Sequence, residues 1–322
     1  MFVNGEWRLR AGWRLLFQFL LLYVGTTLAG SLTLVAVGDP EAGGAARPSS
    51  APNVPLYVVS ALAAVASVWV AGRFLDRRPF SGFGLRFGRA WWFDLAFGLL
   101  LGASLISGIF LFELAAGWVT VTGAFRAGGG GAFFPVILAP VVLFLCVGFY
   151  EELFTRGYQL TNLAEGLNGP RLGPKRAILL AWILSSSFFG LLHAFNPNAT
   201  VLSTLNVTLA GVMLGLGYVL TGELAISIGL HITWNFFQGN VFGLPVSGRD
   251  PVGATFLSTH QAGPELLTGG PFGPEGGLLG PAAMVVGMLL IAVRVRRGRG
   301  KLSLHLPLAE SPRWGRGSTP GS

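Results

Sequence analysis

The chain has 322 residues, of which 52% are hydrophobic and only 11% are charged, and its formal net charge is +8. Ordinary soluble domains have about 25% charged residues, so this composition excludes a soluble globular protein and predicts a polytopic membrane protein. The 48 glycines and 19 prolines, many of them inside apolar runs, are typical of helix bundles in lipid. We expect an all-α fold, because the short alternating strands of a β-barrel are absent from the sequence.

Eight apolar runs have the roughly 20 residues that a helix needs to cross about 30 Å of hydrocarbon. In chain order these predicted spans are Trp13–Val37, Val54–Ala71, Trp91–Val119, Phe133–Tyr150, Ala177–Phe195, Thr200–Leu220, Leu224–Phe242 and Leu278–Val295. The sequence therefore predicts a membrane bundle of about eight transmembrane helices.

The lysines and arginines lie almost entirely on one side of these spans. If the N-terminus is cytoplasmic, 19 of the 22 basic residues fall in inner segments, and only Arg47, Arg126 and Arg249 fall in outer ones. The positive-inside rule then predicts that both termini are cytoplasmic, in a multi-pass protein of the bacterial inner (plasma) membrane. The net charge is explained by this topology and by contact with anionic lipid headgroups, so we expect membrane lipid as a partner and no nucleic acid.

Composition divides the chain into five segments. They are the first three spans at 1–132, a core at 133–242, an external Gly/Pro-rich loop at 243–277, the last span at 278–296 and a cytoplasmic tail at 297–322. The loop is predicted to be flexible and the tail disordered. We expect His260 in the loop and His305 in the tail to be exposed to solvent.

Two adjacent carboxylates and an arginine close the fourth run, at Glu151, Glu152 and Arg156. An ionisable residue inside the membrane costs at least about 2.5–3.5 kcal/mol, so such residues indicate a functional site. Residues four apart share a helix face, so Glu152 is predicted to brace Arg156, whereas Glu151 is rotated by about 100° and remains free. A carboxylate in an apolar site is suited to accept and return a proton. The alternative is an ion pair at the cytoplasmic interface.

Two later spans each carry one histidine that lies four residues from a second residue of interest, Phe189 in one span and Asn235 in the other. His193 follows Phe189, and the Asn196–Asn198 break behind it is tolerable in a membrane where it lines a polar cavity or reaches the surface. His231 and Asn235 can aim at one point and could donate hydrogen bonds to an oxyanion on a peptide carbonyl. The alternatives are a hydrogen-bonded packing role for His193 and a polar helix-joining pair for the other two.

Together these residues resemble the motifs of the CAAX protease and bacteriocin-processing (CPBP, or Abi) family, which includes the type II CAAX prenyl endopeptidases. The family carries Glu-Glu-x-x-x-Arg, Phe-x-x-x-His and His-x-x-x-Asn on successive membrane helices. The matching residues, in the same order, are Glu151, Glu152 and Arg156, then Phe189 and His193, then His231 and Asn235. The match spans about residues 133–242.

The resemblance implies an intramembrane endopeptidase. In it, Glu151 would activate the attacking water with help from His193, while His231 and Asn235 would stabilise the tetrahedral oxyanion. Supporting roles would fall to Glu152, Arg156 and Phe189. The implied substrate is a membrane-associated peptide or protein, which in some relatives carries a C-terminal prenylated cysteine.

The resemblance leaves metal dependence open, since family members have been described both as glutamate proteases and as metalloproteases. Glu151, His193 and His231 could hold zinc in a His₂Glu site with water as the fourth ligand. The chain lacks His-Glu-x-x-His, whose helical spacing would make zinc the default. We therefore favour a mechanism without a cofactor.

Two other functions compete with the peptidase. A proton-coupled secondary transporter also needs intramembrane charges and broken helices, but such folds usually show paired halves, and the sequence has no internal repeat. A non-catalytic scaffold or bacteriocin-immunity protein would keep the fold without turnover.

A shared site also sets a geometric condition. His231 lies roughly 10 Å from the start of its span and His193 over 20 Å from the start of its own. Either residues 177–182 lie along the membrane interface or that helix is strongly tilted.

Overall fold

The computed structural model describes residues 8–37, 53–128 and 131–312. Within these ranges, seven helical segments are long and apolar enough to cross a membrane. The helices are α1 (Ala11–Val37), α2 (Val54–Val70), α3 (Arg89–Ala115), α4 (Phe133–Glu152), α5 (Thr161–Leu167), α6 (Gly173–His193), α7 (Val201–Thr221), α8 (Ala225–Phe236), α9 (Glu265–Thr268) and α10 (Leu279–Arg299). Helices α2, α4 and α8 continue as π-helical turns over Ala71–Asp76, Leu153–Leu160 and Phe237–Val241. The predicted polytopic helix bundle is thereby confirmed.

Three predicted spans differ from the helices that the structure contains. The fourth span does not end at Tyr150, because helical backbone continues through the π turn and α5 to Leu167. The third span stops at Ala115. Helix α8 has 12 residues, extended by five in the π turn, so it is shorter than a full membrane crossing. It is instead an enclosed helix, with every residue from Ala225 to His231 buried.

A two-stranded sheet is the one departure from an all-α chain within the described residues. Strand β1 (Val119–Ala127) pairs antiparallel with β2 (Ala254–Gln261), so that Val119 lies opposite Gln261. The sheet ties the end of α3 to the segment that follows α8. It was missed because its strands are short and far apart in sequence.

Residues 243–277 are ordered, contrary to the predicted flexible loop. They contain β2, α9 and two 3₁₀ turns, at Gly270–Phe272 and Pro274–Gly276. Glycines in this segment serve tight turns: Gly269 and Gly273 have positive φ values of 80° and 103°, which other residues rarely adopt. The abundance of glycine in this segment therefore reflects tight backbone turns rather than flexibility. His260, by contrast, is exposed as expected.

The tail is also ordered where it is described, at residues 297–312, which corrects the prediction of disorder. Helix α10 runs to Arg299, and the last two residues of a 3₁₀ turn at Leu306–Ala309, Leu308 and Ala309, are buried. His305, predicted to be exposed, is partly buried against Gly222. Its backbone N–H donates to the Val219 carbonyl at 2.8 Å. Residues 313–322 lie outside the described ranges.

Three arginines expected at lipid headgroups are instead buried in a protein ion cluster. Arg14 Nη1 lies 2.8 Å from Asp76 Oδ1, and its Nη2 lies 2.9 Å from Glu165 Oε1. Arg8 and Arg78 approach the Glu165 carboxylate at 3.0 and 3.2 Å. This cluster joins the N-terminal segment, α2 and α5 at the arginine-rich face.

Glycines allow α3 and α8 to pack at backbone contact. A Cβ at Gly98 would overlap the Ile226 carbonyl oxygen, and one at Gly229 would overlap the Leu95 carbonyl oxygen. Close approach of this kind stabilises helix pairs in lipid, where no hydrophobic force draws helices together. It fixes α8, which carries His231, against the bundle.

We expect Gly98→Ala to lower stability by about 1–3 kcal/mol, because the added methyl group meets rigid backbone. The control is Gly108→Ala in the same helix, where nothing lies within 4 Å of the added Cβ. That variant should be neutral or stabilised, since alanine is the better helix former. Thermal unfolding in detergent measures both, and equal melting temperatures would contradict this packing.

We expect the tail to detach as the pH falls below about 6.5, the ordinary pKa of histidine. Burial lowers the pKa of His305, and Arg86 and Arg299 act in the same direction. Docking of the tail therefore favours the neutral His305 ring. Below the ordinary pKa, the detached tail binds a proton more readily than the docked tail, so docking becomes less stable as the pH falls. Limited proteolysis across this pH range measures the change. The control His305→Gln should show no pH step.

Candidate active site

A cavity of about 540 Å³ lies between α4, α6, α7 and α8 and is bordered by residues 246–252. The four residues predicted to be catalytic all line it, namely Glu151, His193, His231 and Asn235. Most of the remaining wall is apolar, with Phe144, Val147 and Met213 among its members. The convergence on one pocket that the sequence required is therefore present in the fold.

A buried ion pair at the end of α4 organises the cavity floor. The Glu152 side chain is fully buried, and its Oε1 accepts a hydrogen bond from Arg156 Nη1 at 2.8 Å. The same oxygen lies 2.9 Å from Nδ1 of His231. Arg156 also donates to the Gly211 carbonyl at 3.2 Å and lies over the Phe189 ring, 4.4 Å from its centroid. These contacts tie the π turn to α6, α7 and α8, which excludes snorkelling of Arg156 to headgroups.

Glu151 is the carboxylate that remains available to a ligand. Its side chain is 23% exposed, and Oε1 accepts a hydrogen bond of 3.4 Å from the Tyr150 hydroxyl. Its Oε2 has no hydrogen-bond partner among the described residues. That oxygen lies 3.9 Å from Nε2 of His231. The predicted difference between a braced and a free carboxylate is thus a feature of the structure.

Both histidines are held by Nδ1, which leaves Nε2 for the cavity. Nδ1 of His193 lies 2.8 Å from the Phe189 carbonyl oxygen. Because a carbonyl only accepts, Nδ1 must carry the hydrogen there. His231 is held at Nδ1 by Glu152 and turns Nε2 toward Glu151. His231 is thus the imidazole found within 4 Å of Glu151, whereas the resemblance implied that His193 assists Glu151.

Phe189 accounts for how two histidines at different helix depths share one site. Its ring centroid lies 4.6 Å from that of His193 and 6.1 Å from that of His231. The ring stands one turn before His193 and bridges the two imidazoles. Helix α6 is continuous from Gly173, four residues before the predicted start at Ala177, so no separate interfacial segment precedes it.

Several polar residues of the cavity were missed from the sequence, chiefly in the segment 243–277. Glu275 is buried beside the cavity, accepts a hydrogen bond from Ser247 N–H at 2.6 Å and accepts another from the Gln238 amide. Burial raises the pKa of Glu275, and these hydrogen bonds oppose the shift. Arg249 and Asp250 stand exposed at the edge. The sequence signal that could have revealed Glu275 is a carboxylate in an otherwise apolar Gly/Pro-rich run.

The residues considered for zinc do not form a metal site in this arrangement. Within the described ranges, no three His, Cys, Asp or Glu side chains are grouped to bind one ion. Glu151 and His231 approach each other, but His193 does not join them to complete a His₂Glu set. We therefore route no chemical step through a metal.

Comparison with known proteins finds a family model similar to the part of the chain that contains this site. Residues 133–237 match the model of the family described as type II CAAX prenyl endopeptidase Rce1-like. The uncharacterized protein YyaK of Bacillus subtilis (strain 168) is 26% identical over 193 residues, or 58% of this chain. The aligned region spans only 61% of that relative's length. No solved structure gives a significant match.

The matched residues run from the start of α4 through α8 and contain all three motifs. Residues 133–237 are thus similar to the type II CAAX prenyl endopeptidase Rce1-like family, within a chain whose described residues contain seven helical segments long and apolar enough to cross a membrane.

Proposed function

We propose that this protein is a glutamate-type intramembrane endopeptidase of the inner membrane that hydrolyses a peptide bond of a membrane-associated protein. The observation that supports it best is the pairing of the free Glu151 carboxylate with Nε2 of His231 at 3.9 Å in a mostly apolar cavity. The family match supports the reaction class. The choice of Glu151 as the base follows what the motif resemblance implies, and the position of Glu151 in the cavity supports it.

Charge balance indicates where the active proton resides. Glu151, Glu152 and Arg156 together carry one net negative charge when ionised, and all lie in or beside a low-dielectric core. One proton shared between Glu151 and His231 makes the cluster neutral, which avoids an uncompensated buried charge. With that proton on His231, Glu151 is an ionised base and Nε2–H is a hydrogen-bond donor.

The proposed reaction begins with a water molecule next to Oε2 of Glu151. Glu151 takes one proton while the water oxygen bonds to the peptide carbonyl carbon, and Nε2 of His193 accepts the other O–H to orient it. The oxyanion accepts hydrogen bonds from Nε2–H of His231 and from the Asn235 amide. Glu151 then gives its proton to the amine nitrogen as the C–N bond breaks.

The cavity walls suit a substrate that arrives from the lipid phase. Apolar side chains such as Leu143, Phe144 and Val147 line the part of α4 that leads to Glu151. An extended peptide beside a lipid anchor or transmembrane helix can bury its apolar side chains there. A prenylated CAAX-type protein is one substrate of this class.

We expect Glu151→Gln to reduce cleavage of a membrane-tethered peptide by about 10²–10⁴-fold, the range that general-base catalysis supplies. Release of the cleaved fragment by purified protein in detergent measures the rate. The control is Glu265→Gln, the same chemical change at an exposed glutamate that does not line the cavity. Wild-type turnover by a folded Glu151→Gln protein would reject Glu151 as the base. Repeating the assay with chelator, then with zinc restored, tests metal dependence separately.

We expect the two neighbouring glutamates to differ in their effect on stability. Glu152→Ala leaves Arg156 buried without its carboxylate, and breaking such a pair costs about 3–5 kcal/mol. Glu151→Ala removes a partly exposed group that makes one long hydrogen bond, so we expect a loss of less than about 1 kcal/mol. Thermal unfolding of the two variants in one detergent compares them. The reverse order would contradict the assignment of a bracing and a free carboxylate.

A further inference from the structure

The cavity is closed on one side of the bundle and open on the other. Its deepest lining residues are nearly inaccessible, with exposures of 5% for Phe154, 2% for Thr155 and 1% for Met213. Arg249 and Asp250, which also line the cavity, are exposed. The opening therefore lies beside residues 246–252, which we call the rim.

The rim lies a membrane thickness away from the arginine-rich face. Helix α6 begins next to Lys175 and Arg176 and ends at His193, after 21 residues or about 30 Å. Asn196, just beyond its end, donates a hydrogen bond to the Ser247 carbonyl of the rim at 3.0 Å. The end of α6 that carries the basic residues is therefore the end remote from the rim.

In helices that do not line the cavity, the basic residues also lie at the end remote from the rim. Arg73, Arg77 and Arg78 follow α2, and Arg89 begins α3. The last turn of α10 carries Arg296, Arg297 and Arg299. The far end of α3 leads into β1, whose partner β2 follows the rim in sequence. By the positive-inside rule the basic face is cytoplasmic and the rim is external.

Hydrogen bonds hold the rim in place over the end of α6. The Asn198 amide donates to the Gly248 carbonyl at 3.3 Å, and the carboxylate of Glu275 accepts from Ser247 N–H at 2.6 Å. The Gly248 N–H donates to the Phe272 carbonyl at 2.8 Å. A fixed rim with charged Arg249 and Asp250 above an apolar interior suits a polypeptide that is partly in water and partly in lipid.

We propose that the cavity takes its substrate from the extracytoplasmic side, as the juxtamembrane segment of a membrane-anchored protein that passes over the rim. This inference rests on the proposed peptidase function for what happens to the segment inside. It narrows the substrate class of the proposed function, because a peptide confined to the cytoplasm, including a cytoplasmic prenylated CAAX-type protein, meets the closed floor around Phe154, Thr155 and Met213.

Cysteine accessibility tests the direction of access without requiring activity. In a Cys146→Ser background, single cysteines replace Asp250 at the rim, Val147 inside the cavity and Lys175 at the basic face. A small membrane-impermeant thiol reagent is added to intact spheroplasts. We expect Asp250→Cys and Val147→Cys to react before permeabilisation and Lys175→Cys only after it. Reaction of Lys175→Cys from outside, or of Val147→Cys only from inside, overturns the proposal.

Cleavage in proteoliposomes of one known orientation then separates this inference from the peptidase proposal. A membrane-tethered peptide is presented either on the rim side or on the basic side, with Glu151→Gln as the inactive control. We expect cleavage on the rim side alone. Cleavage on the basic side alone overturns the access proposal and leaves the peptidase standing. External labelling of Val147→Cys without cleavage on either side supports the access proposal and counts against the peptidase.

Discussion

The contact between Glu152, Arg156 and His231 is the constraint on which the site depends. A carboxylate held in a fully buried position needs cationic or hydrogen-bonding partners, and Glu152 has two on a single oxygen, at 2.8 and 2.9 Å. The partners come from the π turn that follows α4 and from α8. The interaction therefore fixes the relative position of these two elements and orients the imidazole of His231.

The availability of Glu151 is a consequence of its place next to Glu152. Adjacent residues on a helix point about 100° apart, so the two carboxylates approach different nitrogens of the His231 ring. Glu152 turns to Arg156, and Glu151 turns to the cavity, where Nε2 of His231 is the nearest basic atom that the structure records for it. The π turn at Leu153–Leu160 begins directly after this pair, and such turns frequently occur at functional sites.

Sequence reasoning succeeded where the relevant interactions are local. Span positions depend on the length of an apolar run, and the Glu152–Arg156 pair depends on a spacing of four, so both could be predicted. The Glu165 cluster could not, because Arg14 lies 151 residues from its partner. The sheet, the ordered tail and the burial of Glu275 likewise depend on distant segments. The order of the three motifs was the only sequence signal that linked distant helices.

The two buried charge clusters of the molecule differ in a way that bears on function. At the arginine-rich face, Asp76 and Glu165 each have an arginine within 3.2 Å, and neither carboxylate lines the cavity of the candidate site. Such a cluster stabilises an assembly of helices and leaves nothing to react. In the site, Glu151 lines the cavity and lies 3.9 Å from its basic partner His231, whereas Glu152 lies 2.8 Å from Arg156 and does not line the cavity. Contact with the cavity, rather than an unpaired oxygen alone, distinguishes Glu151: Glu152 Oε2 and Asp76 Oδ2 also lack a hydrogen-bond partner among the described residues, but neither residue lines the cavity.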